Sequence, residues 1–201
     1  MEMQIFRKTV LGLTALGLAL SALAILSCGG GDDDENNQTR LQATLSAANE
    51  VPAPPRPNPN GRGTSVLTIS ENQQSVSYTL TYAGVNNVTL AHIHVVNSPS
   101  LSGPIVVFLC TNVGLGTNVP CPGAGPIPTP QACPQGSSVT ITGTLTAADL
   151  SCKDATPTSP AVNNFGDFIA QLMAGNTYTN VHSTDNPGGD VRGQDNVLPP
   201  S

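Results

Sequence analysis

Short segments in which apolar and polar residues alternate place the strongest constraint on how this chain can fold. In the clearest one, residues 75–82, serine and threonine alternate with Val76, Tyr78, Leu80 and Tyr82. Successive side chains of a β-strand point to opposite faces, so this pattern predicts a strand with one face in a core and the other in water. Similar strand-like segments recur at 41–46, 65–69, 88–96, 105–109, 138–146, 177–182 and 191–194. The chain is therefore predicted to form an antiparallel β-protein.

One segment instead has the apolar spacing of a short helix. Asn164 is a suitable N-cap and Gly175 a suitable C-terminal residue. The apolar positions between them are Phe165, Phe168, Ile169, Leu172 and Met173. With seven to nine strands, this pattern predicts an all-β fold, a Greek-key antiparallel β-sandwich with one short helix. The domain is placed at residues 41–195, and residues 196–201 are assigned to a C-terminal tail.

The first residues resemble the signal peptide of a bacterial lipoprotein. Arg7 and Lys8 precede an apolar run over 9–27, and the run ends at a cysteine in a lipobox-like sequence. Cys28 is therefore the predicted lipidation site, residues 1–27 the signal peptide and residues 28–40 a flexible acidic tether. Two alternatives remain, an ordinary secretory signal cleaved near Ser27 and an uncleaved N-terminal anchor.

Lipidation at Cys28 predicts an exported protein that is anchored to a membrane through its N-terminal lipid. Gly29 follows the cysteine where an inner-membrane retention signal has aspartate, which favours the outer membrane or the cell surface. Without residues 1–27 the chain keeps five basic and twelve acidic side chains, a net charge of −7. This balance argues against a nucleic-acid partner.

The remaining cysteines predict two structural disulfides. Cys110, Cys121, Cys133 and Cys152 form an even set, as expected in an oxidising compartment. Their spacing lacks the short CxxC pairs of a zinc site, and all three pairings stay open. Residues 110–137 contain many prolines and glycines and are predicted to be an insertion held by these disulfides.

The three histidines of the chain suggest a metal site. His92 and His94 lie two residues apart on a predicted strand and therefore share a face, while His182 lies on another predicted strand. If the two strands are neighbours, three imidazoles converge, an arrangement used by zinc and copper sites.

The alternative is a structural polar network around the same histidines. Asn180, Asp190 and Arg192 flank His182 in sequence and are suited to holding turns. Arg192 is predicted to pair with Asp190 or another carboxylate and to close the sandwich, which fixes geometry more than it adds stability.

Several phrases, in order, resemble the CHRD domain, the module repeated in chordin and present singly in many exported bacterial proteins. They are Leu-Ser-Ala-Ala-Asn-Glu-Val-Pro at 45–52, Ala-His-Ile-His at 91–94, Gly-Pro-Ile-Val-Val at 103–107, Gly-Thr-Leu-Thr-Ala-Ala-Asp-Leu at 143–150, Gly-Asn-Thr-Tyr-Thr-Asn-Val-His at 175–182 and Asn-Pro-Gly-Gly-Asp-Val-Arg-Gly-Gln at 186–194. Ser183 and Asp190 replace the threonine and glutamate usual in the family. The resemblance implies a β-sandwich in an extracellular setting, and it implies no enzymatic activity.

A looser likeness connects the chain with copper/zinc superoxide dismutase, another Greek-key protein with a His-x-His strand and a late histidine and arginine. The dinuclear enzyme needs more histidines than the three present here. At most a mononuclear site is expected, with water, Asp185 or Asp190 as the fourth ligand.

These features predict a lipid-anchored, extracytoplasmic binding or structural module at the cell envelope. Its partner is an unidentified protein or surface ligand. Since no nucleophile elbow, phosphate loop or dinucleotide fingerprint occurs in the sequence, a non-enzymatic role is favoured. No cofactor is established by the sequence. The alternative function is a metal-binding protein that holds Cu or Zn through the three histidines and is redox-active if the metal is copper.

Overall fold

The computed structural model describes residues 38–116 and 118–200. These residues contain nine β-strands and one α-helix. The elements are β1 (Arg40–Ser46), β2 (Arg62–Ile69), β3 (Val76–Ala83), β4 (Val88–Val95), β5 (Ile105–Thr111), β6 (Ser138–Leu145), α1 (Phe165–Met173), β7 (Thr177–Ser183), β8 (Val191–Gln194) and β9 (Asn196–Val197). The predicted signal peptide, Cys28 and most of the predicted tether lie outside the described residues.

All the strands belong to one antiparallel sheet with the order β5-β4-β7-β8-β1-β2-β3-β6, and β9 pairs with β1. The sheet curls until it is nearly closed into a barrel. The all-β prediction with one helix is confirmed, and the two layers expected of a sandwich are joined into one hydrogen-bonded sheet. Residues 196 and 197, assigned from sequence to the tail, form the short strand β9.

The gap between the edge strands β5 and β6 is bridged by the insertion. Tyr78 on β3 donates a hydrogen bond from its hydroxyl to the Leu109 carbonyl of β5, at 2.8 Å. The Gln131 side chain donates to the Tyr78 hydroxyl at 2.7 Å and to the Thr142 carbonyl of β6 at 2.9 Å. The backbone carbonyl of Gln131 accepts a hydrogen bond from the Thr111 amide of β5 at 2.9 Å. One glutamine therefore connects both edges of the sheet.

Two disulfides hold the insertion, as the sequence predicts. Cys110 on β5 pairs with Cys133, and Cys121 pairs with Cys152 beyond β6. These bonds select one of the three possible pairings. Each disulfide closes a loop of a length for which cross-linking typically contributes about 2–4 kcal/mol to stability.

The core lies inside the curled sheet and follows the alternation seen in the sequence. Leu41 and Leu45 of β1 and Leu80 of β3 are almost wholly buried, whereas their neighbours along each strand face solvent. Burying a side chain of this size stabilises the fold by about 1.5–3 kcal/mol. The opposite face of β4 and β7 is also buried, and it carries the polar residues described below.

The helix α1 forms where the sequence predicts it. Asn164 caps its N-terminus by accepting a hydrogen bond from the Asp167 amide at 3.0 Å. Its apolar face is buried except for Met173, and Gly175 follows with a φ of 69°. Within residues 38–116 and 118–200, no helix has the length and hydrophobicity of a transmembrane span.

Candidate functional site

The three histidines meet on one face of the sheet because β4 and β7 are neighbours. In the antiparallel register His92 lies opposite Asn180, and Leu90 lies opposite His182. Positions two apart on a strand share a face. His92, His94, Asn180 and His182 therefore lie together, while Ile93 points to the opposite side, into the core.

The three imidazoles form a compact buried group, termed here the histidine cluster. The ring of His92 lies 4.4 Å from the rings of both His94 and His182, measured between centroids. One ring nitrogen from each residue lies within 4.8 Å of the others. His92 is 1% exposed, and His94 and His182 are each 8% exposed. The cluster therefore lies beneath covering segments of the chain.

Backbone carbonyls fix the orientation of two of the rings. His94 Nδ1 lies 2.7 Å from the Gly103 carbonyl oxygen, and His182 Nδ1 lies 2.8 Å from the Pro187 carbonyl oxygen. A carbonyl only accepts hydrogen bonds, so each Nδ1 carries the hydrogen and donates it. In the neutral ring, each Nε2 then presents a lone pair to the interior of the cluster.

The side-chain amide of Asn180 lies between these two lone pairs. Its Oδ1 is 3.2 Å from His94 Nε2 and 2.9 Å from His182 Nε2. An oxygen cannot donate to either nitrogen, whereas the amide NH₂ can donate to both after a half-turn of the side chain. The position between the rings therefore favours an NH₂ group or a cation.

Burial keeps the cluster uncharged at neutral pH. It lowers the pKa of His94 to about 3, and it also lowers the pKa of His182. The pKa of His92 is lowered well below its usual value by burial and by the neighbouring histidines. Desolvation disfavours a charged imidazolium in each case. At pH 7 each of the three rings is therefore neutral and has one nitrogen that carries no hydrogen.

A stack of side chains extends the cluster toward β8. The Tyr178 ring lies parallel to His94, with 4.4 Å between centroids and 9° between planes. Arg192 Cζ lies 3.4 Å from the centroid of the Tyr178 ring. The Arg192 Nη2 donates to the carbonyls of Pro99 and Leu101, at 3.1 and 2.8 Å. This arginine thus holds the loop that follows β4 over the cluster.

Glu50 brings a buried carboxyl group to the same region. It follows a 3₁₀ turn at Ala47–Asn49 and is 6% exposed. Burial raises the pKa of Glu50 to about 7, an effect opposed by the charge of Arg192 and by the Asn180 side chain. Gly189 packs so closely that a Cβ there would lie 2.5 Å from Glu50 Oε2.

Asp190 stabilises the adjoining turn and makes no ion pair with Arg192. Its carboxylate accepts hydrogen bonds from Ser183 Oγ, from Asn58 Nδ2 at 2.9 Å and from Asn186 Nδ2 at 3.2 Å. Of the carboxylates predicted for Arg192, Asp190 is thus excluded, whereas the charge of Arg192 acts on Glu50. The guanidinium itself contacts two backbone carbonyls and the Tyr178 ring. Asp185 lies on the exposed surface beside Arg56, at 3.3 Å.

The sequence matches the CHRD domain family over residues 41–194, which is more than half of the chain. The chain belongs to the CHRD domain family. No curated protein and no solved structure was found to match it. Membership of this family suggests a binding or structural module.

The CHRD fold brings together five of the residues singled out in the sequence, and the register of β4, β7 and β8 accounts for this. They are His92, His94, Asn180, His182 and Arg192. Glu50 and Tyr178 complete the site but are not predicted by the sequence. Both stand in phrases that resemble the CHRD domain, and this position is the signal in the sequence that could have pointed to them.

A polar groove of about 700 Å³ lies beside the site and shares Arg192 with it. Amide and hydroxyl side chains line most of the groove, from Gln42, Thr44, Asn49, Gln194 and Asn196. The groove is open to solvent, and Ala48, Val51, Pro99 and Leu198 give it an apolar part as well. The CHRD domain therefore combines a buried histidine cluster with an open hydrogen-bonding surface.

Proposed function

We propose that this protein is a lipid-anchored, extracytoplasmic CHRD module that binds a partner at the cell envelope. The observation that carries the proposal is the pairing of all four cysteines of the domain in disulfides. Such bonds persist in oxidising compartments and are rare in the cytosol. A domain with two of them is suited to life outside the cytoplasm.

The sequence before the domain supports anchoring through Cys28. A hydrophobic run ends at this cysteine, and an acidic, glycine-rich tether follows it. Each buried methylene of an acyl chain contributes about 0.8 kcal/mol to membrane binding, so several chains on one cysteine hold a domain firmly. The tether gives the CHRD domain reach from the membrane surface.

The polar groove beside Arg192 supports binding rather than a purely structural role. Its side chains offer many amide and hydroxyl groups, which bind hydrogen-bonding ligands and leave the partner free to be a protein or a surface polymer. The acidic balance of the chain disfavours nucleic acid.

Anchoring is tested by metabolic labelling with a clickable fatty acid and by cell fractionation. The wild type should carry the label and sediment with membranes. Cys28→Ala should lose the label, whereas the matched variant Ser27→Ala keeps a small residue before the cysteine and should retain it. Label that persists in Cys28→Ala, or an unlabelled wild type in the soluble fraction, contradicts the proposal.

Binding is tested by placing a photo-crosslinking residue in the groove on intact cells. Position 196 lies in the groove, and position 140 is exposed on the outer face of β6. Irradiation should give an adduct of defined mass from position 196 and none from position 140. Identical products from both positions, or none from either, argue for a structural role without a groove partner.

A further inference from the structure

We propose that the histidine cluster is a transition-metal site in which His92, His94 and His182 bind one Zn²⁺ or Cu²⁺ ion. This inference goes beyond the proposed envelope function and stands independently of it. Three imidazole nitrogens form a donor set that suits zinc and copper, whereas calcium and magnesium require oxygen ligands.

The separation of the donors is within reach of coordination. One nitrogen from each ring lies within 4.8 Å of the others. Imidazole nitrogens lie about 2.0–2.1 Å from a bound zinc ion, which places them about 3.3 Å apart in a tetrahedral site. The three side chains must therefore move closer together when an ion binds, and the register of β4 and β7 holds them on the same face of the sheet for this.

The hydrogen bonds outside the cluster are those of metal-ligating histidines. A ligating imidazole typically donates its other ring N–H to a carbonyl or carboxylate, which fixes its tautomer and orientation. His94 does so to the Gly103 carbonyl and His182 to the Pro187 carbonyl. Both remaining nitrogens point inward.

Unpartnered polar atoms around the cluster form a second, independent observation. Among the residues that the structure describes, six buried side-chain atoms have no hydrogen-bond partner, and three of them, His92 Nδ1, Glu50 Oε1 and Arg192 Nη1, belong to the cluster or to the side chains beside it. Buried polar groups almost always have partners, so the atoms at the cluster are consistent with a ligand that binds there. They belong to side chains that are 1%, 6% and 2% exposed.

Asn180 is the side chain that a bound ion meets besides the imidazoles. The Asn180 amide lies between two of the donors and must swing aside or coordinate through Oδ1 when an ion enters. Glu50 lies outside the group of three donors, in the region that it shares with Arg192 and Asn180. The fourth position of a tetrahedral site would therefore be taken by water or by the Asn180 oxygen.

The test uses the full-length protein, purified in detergent from cells that export it and freed of metal by chelation. Titration with Zn²⁺ alone and with Cu²⁺ alone should show one ion per chain with sub-micromolar affinity. Removing only the hydrogen-bond partner of a metal ligand typically costs about 10–100-fold in affinity. His94→Gln and His182→Gln each remove a ligand itself, so each should weaken binding by at least about 100-fold.

The matched control is Tyr82→Phe, which removes a buried hydrogen bond to the Pro134 carbonyl away from the cluster. It should bind metal as the wild type does. A folded histidine variant with wild-type affinity overturns the proposal, and so does a wild type that binds neither ion. If the histidine variants fail to fold, electron paramagnetic resonance of the Cu²⁺-loaded wild type decides. Hyperfine coupling to imidazole nitrogens supports the site, and its absence refutes it.

Discussion

At the scale of single residues, Asn180 is the residue that connects the histidines of the cluster. Its amide contacts two imidazole nitrogens, at 3.2 and 2.9 Å, and it is 2% exposed. Few side chains can serve two lone pairs at once, and an amide NH₂ group does so with its two hydrogens. In the metal-free protein this single residue therefore satisfies the inner nitrogens of both His94 and His182.

Replacing Asn180 should leave these nitrogens without partners. We expect Asn180→Ala to lower the free energy of unfolding by about 1–3 kcal/mol, the usual cost of orphaned buried polar groups. The control is Asn97→Ala, which removes an exposed hydrogen bond to the Pro157 carbonyl and should cost no more than about 0.5 kcal/mol. Urea unfolding measures both, and equal losses would count against the network.

Gly189 permits the close approach of Glu50. Its φ of 133° is rare for other residues, and a Cβ would lie 2.5 Å from the carboxylate. Gly189→Ala should therefore destabilise the domain by about 1–3 kcal/mol. Gly188→Ala is the matched control, because a Cβ at Gly188 meets nothing within 4 Å. If urea unfolding finds the two variants equally stable, the packing of Glu50 against this glycine is wrong.

Asp195 gives the fold a dependence on pH. Its carboxyl is wholly buried and accepts a hydrogen bond from Thr179 Oγ1 at 2.8 Å. Burial raises the pKa of Asp195 to about 7, whereas the unfolded chain has a pKa of about 3.9. The folded state therefore holds this proton more tightly, and its stabilising effect is lost as the pH rises through the folded pKa.

Asp195→Asn removes the titrating group and isolates this effect. Relative to the variant, the wild type should lose stability as the pH rises from about 4 to 7, by at most about 1.4 kcal/mol per pH unit. Urea unfolding across this range measures the difference. Asn97→Ala removes no titratable group, so its difference from the wild type should stay constant. A constant difference for Asp195→Asn would show that its carboxyl titrates normally.

At the scale of elements, the site lies on β4 and β7. The pairing of these two strands could not be predicted from the sequence. Alternation within 75–82 and helical spacing after Asn164 are local patterns, and the structure confirms both elements. Pairing of His92 with Asn180 depends on contacts between segments far apart in the chain. The sequence predicts three converging histidines only on the condition that these strands are neighbours.

The position of Glu50 and the pairing of the cysteines also depend on contacts between distant segments of the chain. The position of Glu50 depends on a turn after β1 that lies against the 184–190 segment, and no local pattern encodes that contact. The pairing of Cys110 with Cys133 likewise follows from where the insertion crosses the sheet edge. Arg192 and Asp190 are neighbours in sequence, but Asp190 accepts hydrogen bonds from the turn, and the carboxyl group on which the charge of Arg192 acts is that of Glu50.

The disulfide of β5 should contribute to the stability of this element. Cys110→Ala combined with Cys133→Ala opens a loop whose closure is worth about 2–4 kcal/mol. The urea midpoint of the double variant should fall accordingly. Wild type compared with and without reductant serves as the control, since reduction opens both disulfides and should destabilise the domain further. An unchanged midpoint in the double variant would mean that Gln131 and Tyr78 alone close the edge.

At the scale of the whole molecule, one curled sheet separates two interiors. Its inner surface encloses an apolar core, and the outer surface of β4, β7 and β8 is covered by loops over a polar site. The insertion bridges the edges through Gln131, and two disulfides hold it there. This construction buries the histidine cluster beneath the covering loops.

The central claim is that three neutral imidazoles converge with fixed tautomers. Long-range ¹H–¹⁵N spectra of the histidine rings test it most directly, at pH 7 for the tautomers and at about pH 5, where an unperturbed histidine is mostly protonated. At pH 7 the hydrogen of His94 and of His182 should lie on Nδ1, added Zn²⁺ should shift their Nε2 resonances, and His92 and His94 should remain neutral at pH 5. A protonated His92 or His94 at pH 5, or a hydrogen on Nε2 of His94 or His182 at pH 7, would contradict this claim.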